Sequence, residues 1–205
     1  MADLFSALDH LQKIPVLDAE VYYLSHLELG ISEDAVLNKL IAETPWRQEN
    51  VLIWGKSVPQ PRLVAWYGDR DSGYTYSGIT LTPLLWTDVL LTIRRQVETV
   101  TKAAFNSVLL NYYRDHQDSM GFHSDDEPEL GQRPIIASLS FGEERTFVLK
   151  HKLDRLLKPV RLRLASGSLL LMKGETQKNW KHGIEKSTRT CGPRVNLTFR
   201  RINPK

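Results

Sequence analysis

One cysteine, Cys191, stands among 205 residues, so neither an intramolecular disulfide nor a multi-cysteine zinc site is available, which suits a reducing compartment. No uninterrupted apolar run approaches the ~20 residues a spanning helix needs, and no membrane partner is expected. The N-terminal stretch carries Asp3 and Asp9 where a secretory signal would need a basic segment followed by an apolar one. Cytoplasm is the expected location, beside the nucleoid in a bacterium, with the nucleus as the eukaryotic counterpart. Internal repeats, low-complexity linkers and long runs of one charge are also lacking. Nothing in the sequence demands a dimer, so a monomer is the default expectation.

What is present is ordinary globular composition, 41% hydrophobic and 25% charged, in a length that fits one domain of roughly 150 residues with a short appendage. The net charge of +3 is mild, but its distribution is uneven. From Lys150 to Arg163 the chain holds Lys150, Lys152, Arg155, Lys158, Arg161 and Arg163 against Asp154 alone, a local +5. Such a stripe can neutralise phosphates; it also fits a solvated loop between two strands.

The first 25 residues, interrupted by Pro15, read as an irregular arm over the core. Residues 33–43 place Val36, Leu37, Leu40 and Ile41 at helical spacing behind Ser32, a plausible N-cap. After Pro45, VLIWGKSVPQPRLVAWYG reads as two extended runs around a Gly and Pro connection, a hairpin with Trp54 at its tip beside Gly55. Thr82 and Pro83 read as an N-cap and first-turn pair ahead of residues 84–100, where Trp86, Val89, Leu90, Ile93, Val97 and Val100 recur at three- and four-residue steps. Beyond residue 105 six short strand-like runs follow: NSVLLNYY, PIIASLSF, RTFVLK, VRLRL, SLLLM and RVNLTFR. Short strands without long intervening helices predict an α+β chain whose mainly β core is an antiparallel sandwich or jelly roll flanked by helices.

His123-Ser124-Asp125 is the sharpest local signal, since side chains two apart at the end of an extended segment point to the same side. With His182, 57 positions later, two imidazoles and a carboxylate form a facial triad of the kind that holds non-haem Fe(II). A surface histidine beside a surface aspartate would satisfy the local pattern equally well. In RVNLTFR, Arg194, Asn196, Thr198 and Arg200 share one strand face while Val195, Leu197 and Phe199 take the other. Two inward guanidiniums are costly unless matched by anions, so they call for a dicarboxylate ligand or internal pairing with Asp or Glu. Asn111 and Tyr113 repeat the two-residue step on another strand and can add hydrogen bonds.

In this order and spacing, N-x-Y, H-x-D-D-E, ASLSFG, GSLLLM, a lone His and PRVNLTFR resemble the AlkB family of Fe(II)- and 2-oxoglutarate-dependent dioxygenases, over about residues 50–202, and most of all the branch that repairs alkylated DNA. The resemblance implies a double-stranded β-helix with a nucleotide-recognition lid, here residues 51–80 between an N-terminal arm and helix (1–50) and a catalytic core (81–205). It implies that His123, Asp125 and His182 ligate iron and carry the catalysis, and that Asn111, Tyr113, Arg194, Asn196 and Arg200 hold 2-oxoglutarate. Dioxygen would be the third reactant, and an N-methyl group would leave as formaldehyde while 2-oxoglutarate becomes succinate. N1-methyladenine and N3-methylcytosine in DNA are the implied substrates, with RNA or protein as alternatives and a non-catalytic alkylated-nucleic-acid binder as a further one.

The same resemblance places Asp126, and Glu127 after it, at the pocket entrance against the base, and Tyr76 stacked upon it. Trp54 is implied as a wedge into the gap left by a flipped base, and Arg62, Lys56 and the basic stripe as phosphate contacts. Read without it, Asp126 is a surface acid in a DDEPE run, Tyr76 a core tyrosine, and Trp54 an aromatic packed under neighbouring chain.

Overall fold

The computed structural model describes residues 11–53, 55–70, 74–76 and 79–203, with backbone alone at residues 52, 53, 74–76 and 79–81. In chain order the elements are β1 (Gln12–Ile14), β2 (Glu20–Leu24), α1 (Glu33–Glu43), β3 (Asn50–Ile53), β4 (Lys56–Pro59), β5 (Leu63–Gly68), β6 (Tyr74–Tyr76), β7 (Ile79–Leu81), α2 (Asp88–Thr101) and β8 (Ser107–Tyr113). They continue with β9 (Met120–His123), β10 (Ile136–Gly142), β11 (Arg145–His151), β12 (Val160–Leu164), β13 (Leu169–Lys173), α3 (Thr176–Asn179), β14 (Trp180–Ile184) and β15 (Arg194–Arg200). Among the described residues no helix is long and apolar enough to cross a membrane.

Two antiparallel sheets form the core, a seven-stranded one in the order β1-β2-β13-β10-β15-β8-β5 and a four-stranded one in the order β12-β11-β14-β9. This is the expected jelly roll, and strand alternation divides its apolar residues between two clusters. Val195, Leu197 and Phe199 of β15 join Leu139 and Phe141 of β10, Leu169 and Leu171 of β13, and the buried faces of α1 and α2. The opposite faces of the same strands supply Ile136, Leu170 and Met172, which meet Phe147, Leu149, Leu164, Trp180 and Ile184 from the smaller sheet. Full burial of such side chains stabilises by roughly 1.5–3 kcal/mol each. Polar residues on the inner face of β15 are therefore held in place by an apolar outer face that has no other place to go.

The six β-rich runs all form strands, and α1 spans 33–43 with Ser32 Oγ accepting from the Ala35 amide. Three readings need correction. The N-terminal arm is not irregular throughout: β2 pairs with β13 and β1 pairs with β2, extending the large sheet at its edge. Backbone groups left open on β13 recruit a segment whose own pattern is too short to declare a strand.

The second helix starts at Asp88, with Thr87 Oγ1 accepting from Leu90 N. Thr82 and Pro83 lie before it, because Leu84 is held extended: its N–H donates to Trp66 O and its carbonyl accepts from Gly68 N. The first hairpin is shorter than expected. Its strands are β3 and β4, paired Asn50↔Pro59 to Ile53↔Lys56, while LVAWYG is β5 and pairs with β8 in the large sheet.

These caps give a direct check. Thr87→Ala should lower the unfolding free energy by about 1 kcal/mol, while Thr82→Ala should change it by less than about 0.5 kcal/mol. Urea titrations of the two variants measure both, and equal losses would place the helix start at residue 82.

Candidate active site

β9 ends at His123, whose backbone lies opposite His182 on β14. The register shifts between His182 and Ile184, and Gly183 sits at the shift. A Cβ there would lie 2.8 Å from Met120 O, so only glycine lets β9 approach β14 this closely. The two imidazoles consequently face each other with ring centroids 4.4 Å apart, and Phe147 stacks on His182 at 5.1 Å.

After His123 the chain turns inward under three restraints. Ser124 Oγ donates to Trp180 O at 2.9 Å, Asp125 N donates to Gln177 Oε1 at 3.0 Å, and Arg200 Nη2 donates to Asp125 Oδ1 at 2.5 Å. Asp125 is left 1% exposed, with Oδ2 3.6 Å from His182 Nε2 and Oδ1 4.0 Å from His123 Nε2. One ligand atom from each of His123, Asp125 and His182 lies within 4.8 Å of the others. Asp125 Oδ2 is buried and accepts no hydrogen bond among the described residues. His123 Nδ1 lies 2.9 Å from Gly121 O, a contact that fixes the proton on Nδ1 and turns the Nε2 lone pair toward Asp125. A buried, unsatisfied carboxylate oxygen between two imidazoles fits a divalent cation.

The electrostatics suit that cation. Burial strips water from His182 and pushes its pKa down to about 3 against the pull of Asp125, so the imidazole is neutral and its nitrogen lone pair available. Burial alone would raise the Asp125 carboxyl, but Arg200, then His182 and His123, override it and hold it below the ordinary carboxylate value.

The inner face of β15 continues away from this cluster. Arg194, 1% exposed, donates through Nη2 to Ser140 Oγ at 2.9 Å, while its Nε and Nη1 lie within hydrogen-bond geometry of no acceptor among the described residues. Burial lowers its pKa, yet a guanidinium stays charged. Asn196 Nδ2 donates to Ser138 Oγ at 2.8 Å and Leu139 O at 3.1 Å, and Thr198 Oγ1 donates to Asn196 Oδ1 at 3.0 Å. The Tyr113 ring lies between two guanidiniums, 5.1 Å from Arg194 and 5.7 Å from Arg145. Unpaired donors on a buried cation, set in one cavity with the metal-ligand cluster, fit a ligand with a carboxylate at its far end.

The chain matches the 2OG-Fe(II) oxygenase superfamily over residues 26–200. It is 41% identical to the alpha-ketoglutarate-dependent dioxygenase alkB homolog 3 of Mus musculus over 92% of this chain and 73% of that protein. It belongs to the AlkB family of 2OG-Fe(II) oxygenases. Another AlkB relative, the DNA oxidative demethylase ALKBH2 of Mus musculus, is 47% identical over 75% of this chain and 67% of its own length. The solved structure of OsALKBH1 superposes with a TM-score of 0.64 at 17% identity, covering 91% of this chain and 99% of that one, a likeness of fold. The protein is thus an AlkB-type Fe(II)- and 2-oxoglutarate-dependent dioxygenase, an oxidative demethylase that uses iron, 2-oxoglutarate and dioxygen.

Seven of the eight residues expected at iron and cosubstrate line one cavity: His123, Asp125, His182, Tyr113, Arg194, Asn196 and Arg200. Asn111 is not among the lining residues; it is fully buried opposite Asn196, with Oδ1 accepting from Arg62 Nε at 2.8 Å and Nδ2 without a partner among the described residues. Arg62, expected at phosphates, is instead turned inward to Asn111 and the Ser119 carbonyl, and burial lowers its pKa. Asp126 is exposed and paired with Lys152 at 3.0 Å; Glu127 is exposed, and its carbonyl accepts from Leu130 N. Trp54 lies outside the described residues, and Tyr76 is described only as backbone in β6.

The basic stripe is more compensated than its sequence suggests. Lys150 and Arg161 pair with Glu185, Lys152 with Asp126 and Arg163 with Glu144. Of its six cations only Arg155 and Lys158, on the loop between β11 and β12, lack an ion pair among the described residues. Gln177, Gly183 and Arg145 were not legible as site residues. Arg145, 4% exposed, donates to the carbonyls of Asp115, Asp118 and Glu185 and braces the loop beside Tyr113. A glutamine in TQKN and an arginine in ERTF carry no motif; only the three-dimensional pairing assigns them.

His182 also makes a prediction for the metal-free protein. Below about pH 6.5 the unfolded chain protonates His182 whereas the folded one does not until near pH 3, so stability falls as pH drops, by up to about 1.4 kcal/mol per unit. Asp125 adds a loss of the same sign at more acidic pH. Urea midpoints of chelator-treated protein between pH 7 and 4.5 should decline more steeply in wild type than in His182→Gln; parallel curves would reject the assignment.

Proposed function

We propose that this oxidative demethylase removes methyl groups from N1-methyladenine and N3-methylcytosine in DNA by direct reversal, releasing formaldehyde and succinate. The observation that carries the reading is a single cavity that joins a metal-ligand cluster to a buried guanidinium with free donors. The exposed carboxylate Asp126 directly follows the ligand Asp125 in the chain and lines a second cleft with Lys152. The relatives named DNA oxidative demethylase, 47% identical over three quarters of this chain, support DNA as the substrate.

Bound iron with 2-oxoglutarate and dioxygen supplies the oxidation of a C–H bond, for which no protein nucleophile is needed. His123, Asp125 and His182 hold the metal. Arg194 offers two free N–H directions to the distal carboxylate of 2-oxoglutarate, with Tyr113 and Asn196 beside it. Arg200 fixes the Asp125 carboxylate and keeps it ionised. Asp126 accepts from the exocyclic amine of the base, and its charge favours bases made cationic by N-methylation. Residues 51–80, with Trp54 and Tyr76, act as the lid that receives the flipped nucleotide, and Arg155 and Lys158 contact its phosphates.

The test is anaerobic reconstitution with Fe(II) and 2-oxoglutarate followed by air, using matched single- and double-stranded oligonucleotides carrying each base. Wild type should release formaldehyde with loss of one methylene mass from the oligonucleotide, and His182→Ala should lower turnover by at least about a hundredfold. Succinate formed without any change in DNA, alongside demethylation of RNA or a peptide, would replace the proposed substrate.

A further inference from the structure

We propose that Lys152 sets how strongly this active site prefers a cationic over a neutral alkylated base, acting as a positioning residue through Asp126. The inference rests on the reading above that Asp126 faces the base.

Lys152 directly follows β11, and its backbone N–H donates to Asn179 O at 2.8 Å. Its ammonium donates to Asp126 Oδ2 at 3.0 Å and to Gln177 O at 2.7 Å. An exposed lysine and aspartate would ordinarily share a mobile, weak pair. This ammonium is held differently: its side chain is only 21% exposed, and the carbonyl that anchors it belongs to a residue 2% exposed. The side chain of the same Gln177 accepts from the backbone of Asp125. Gln177 thus joins the metal ligand on one side to the cation facing Asp126 on the other.

Asp126 therefore does not present a bare negative charge. Asp126 and Lys152 line a cleft with Arg133 and Lys178, and those two cations both pair with Glu175. Lys152 is the one cation in contact with Asp126 among the described residues. A methylated adenine or cytosine carrying a positive charge meets the attraction of Asp126 and the repulsion of Lys152 together. A neutral base such as N1-methylguanine or N3-methylthymine responds to neither charge to first order. Lys152 is thereby placed to broaden the range of accepted bases by damping the preference for cations.

The experiment measures kcat/KM on single-stranded oligonucleotides carrying N1-methyladenine, N3-methylcytosine, N1-methylguanine or N3-methylthymine, each in the same flanking sequence. Enzymes are wild type, Lys152→Met, Lys152→Arg, Asp126→Asn and the Lys152→Met/Asp126→Asn double variant, all reconstituted with Fe(II) and 2-oxoglutarate. The readout is the ratio of cationic to neutral substrates within one preparation, in which any loss of active fraction cancels.

Lys152→Met should raise that ratio about threefold to tenfold, the effect of removing a unit charge several ångströms away at an effective dielectric between protein surface and bulk water. Lys152→Arg should leave it near the wild-type value, and Lys152→Met should not raise it in the Asp126→Asn background. An equal fall for all four bases, with the ratio unmoved, would make Lys152 a phosphate contact and overturn the inference. An equal rise with and without Asp126 would overturn the route through that carboxylate. Wild-type enzyme that demethylates none of the four bases overturns the substrate reading and this inference together; wild-type activity with an unmoved ratio overturns this inference alone.

Discussion

Keeping the Arg194 guanidinium buried with two of its nitrogens unpartnered costs free energy, and much of the architecture serves to keep it there. The alternate residues of β15 anchor it. Val195, Leu197 and Phe199 are fully buried against the helix-covered face, so rotating the strand to release the arginine would expose all three. Neighbouring strands add partial compensation through Ser138 and Ser140 on β10 and the Tyr113 ring on β8. None of these is an anion. The buried guanidinium is therefore preorganised for an anion, and on the proposed reading 2-oxoglutarate would bind there without any rearrangement of the sheet.

At the other end of the same strand the balance is opposite. Arg200 meets Asp125 directly, and that contact keeps a 1% exposed carboxylate ionised beside two imidazoles. Gln177 from α3 holds the backbone of Asp125, while Gly183 lets β9 close upon β14 and sets the spacing of His123 and His182. Strand β15 contributes none of the three candidate metal ligands, yet its Arg200 restrains the one carboxylate among them and its Arg194 presents the buried cation of the same cavity. Both ends of the cavity are thus set by one element whose outer face is committed to the core.

Legibility in the sequence followed the range of the forces involved. Strands with clean period-two alternation, such as residues 194–200, could be placed with their two faces, because alternation is a property of the strand itself. Order and spacing of the H-x-D, the later His and the R-x-N-x-x-x-R pattern carried the family resemblance and most of the site. Other features depended on distant partners. Strands β1 and β2 exist because β13 offers an open edge. The start of α2 was displaced because Leu84 is bound to β5, leaving Thr87 rather than Thr82 to cap. Arg62 looked like a surface cation in PQPRLV, and only Asn111, 49 residues away, turns it inward. The charges of the 150–163 stripe are visible in the sequence, but their compensation is not, since Glu144, Glu185 and Asp126 reach them from other strands and loops.

These pairings sort the charges around the site. Arg194 and Arg145 flank the Tyr113 ring, Arg62 meets Asn111, and the nearby Asp118 is already engaged by Arg114. Asp126 and Glu127 are exposed directly after Asp125, and Lys152 is the one cation in contact with Asp126 among the described residues. On the proposed reading a dianionic cosubstrate would be drawn toward the buried guanidiniums and a cationic base toward the exposed carboxylates, each away from the charges that attract the other. Charge placement would then separate the two ligands with no moving part in the jelly roll.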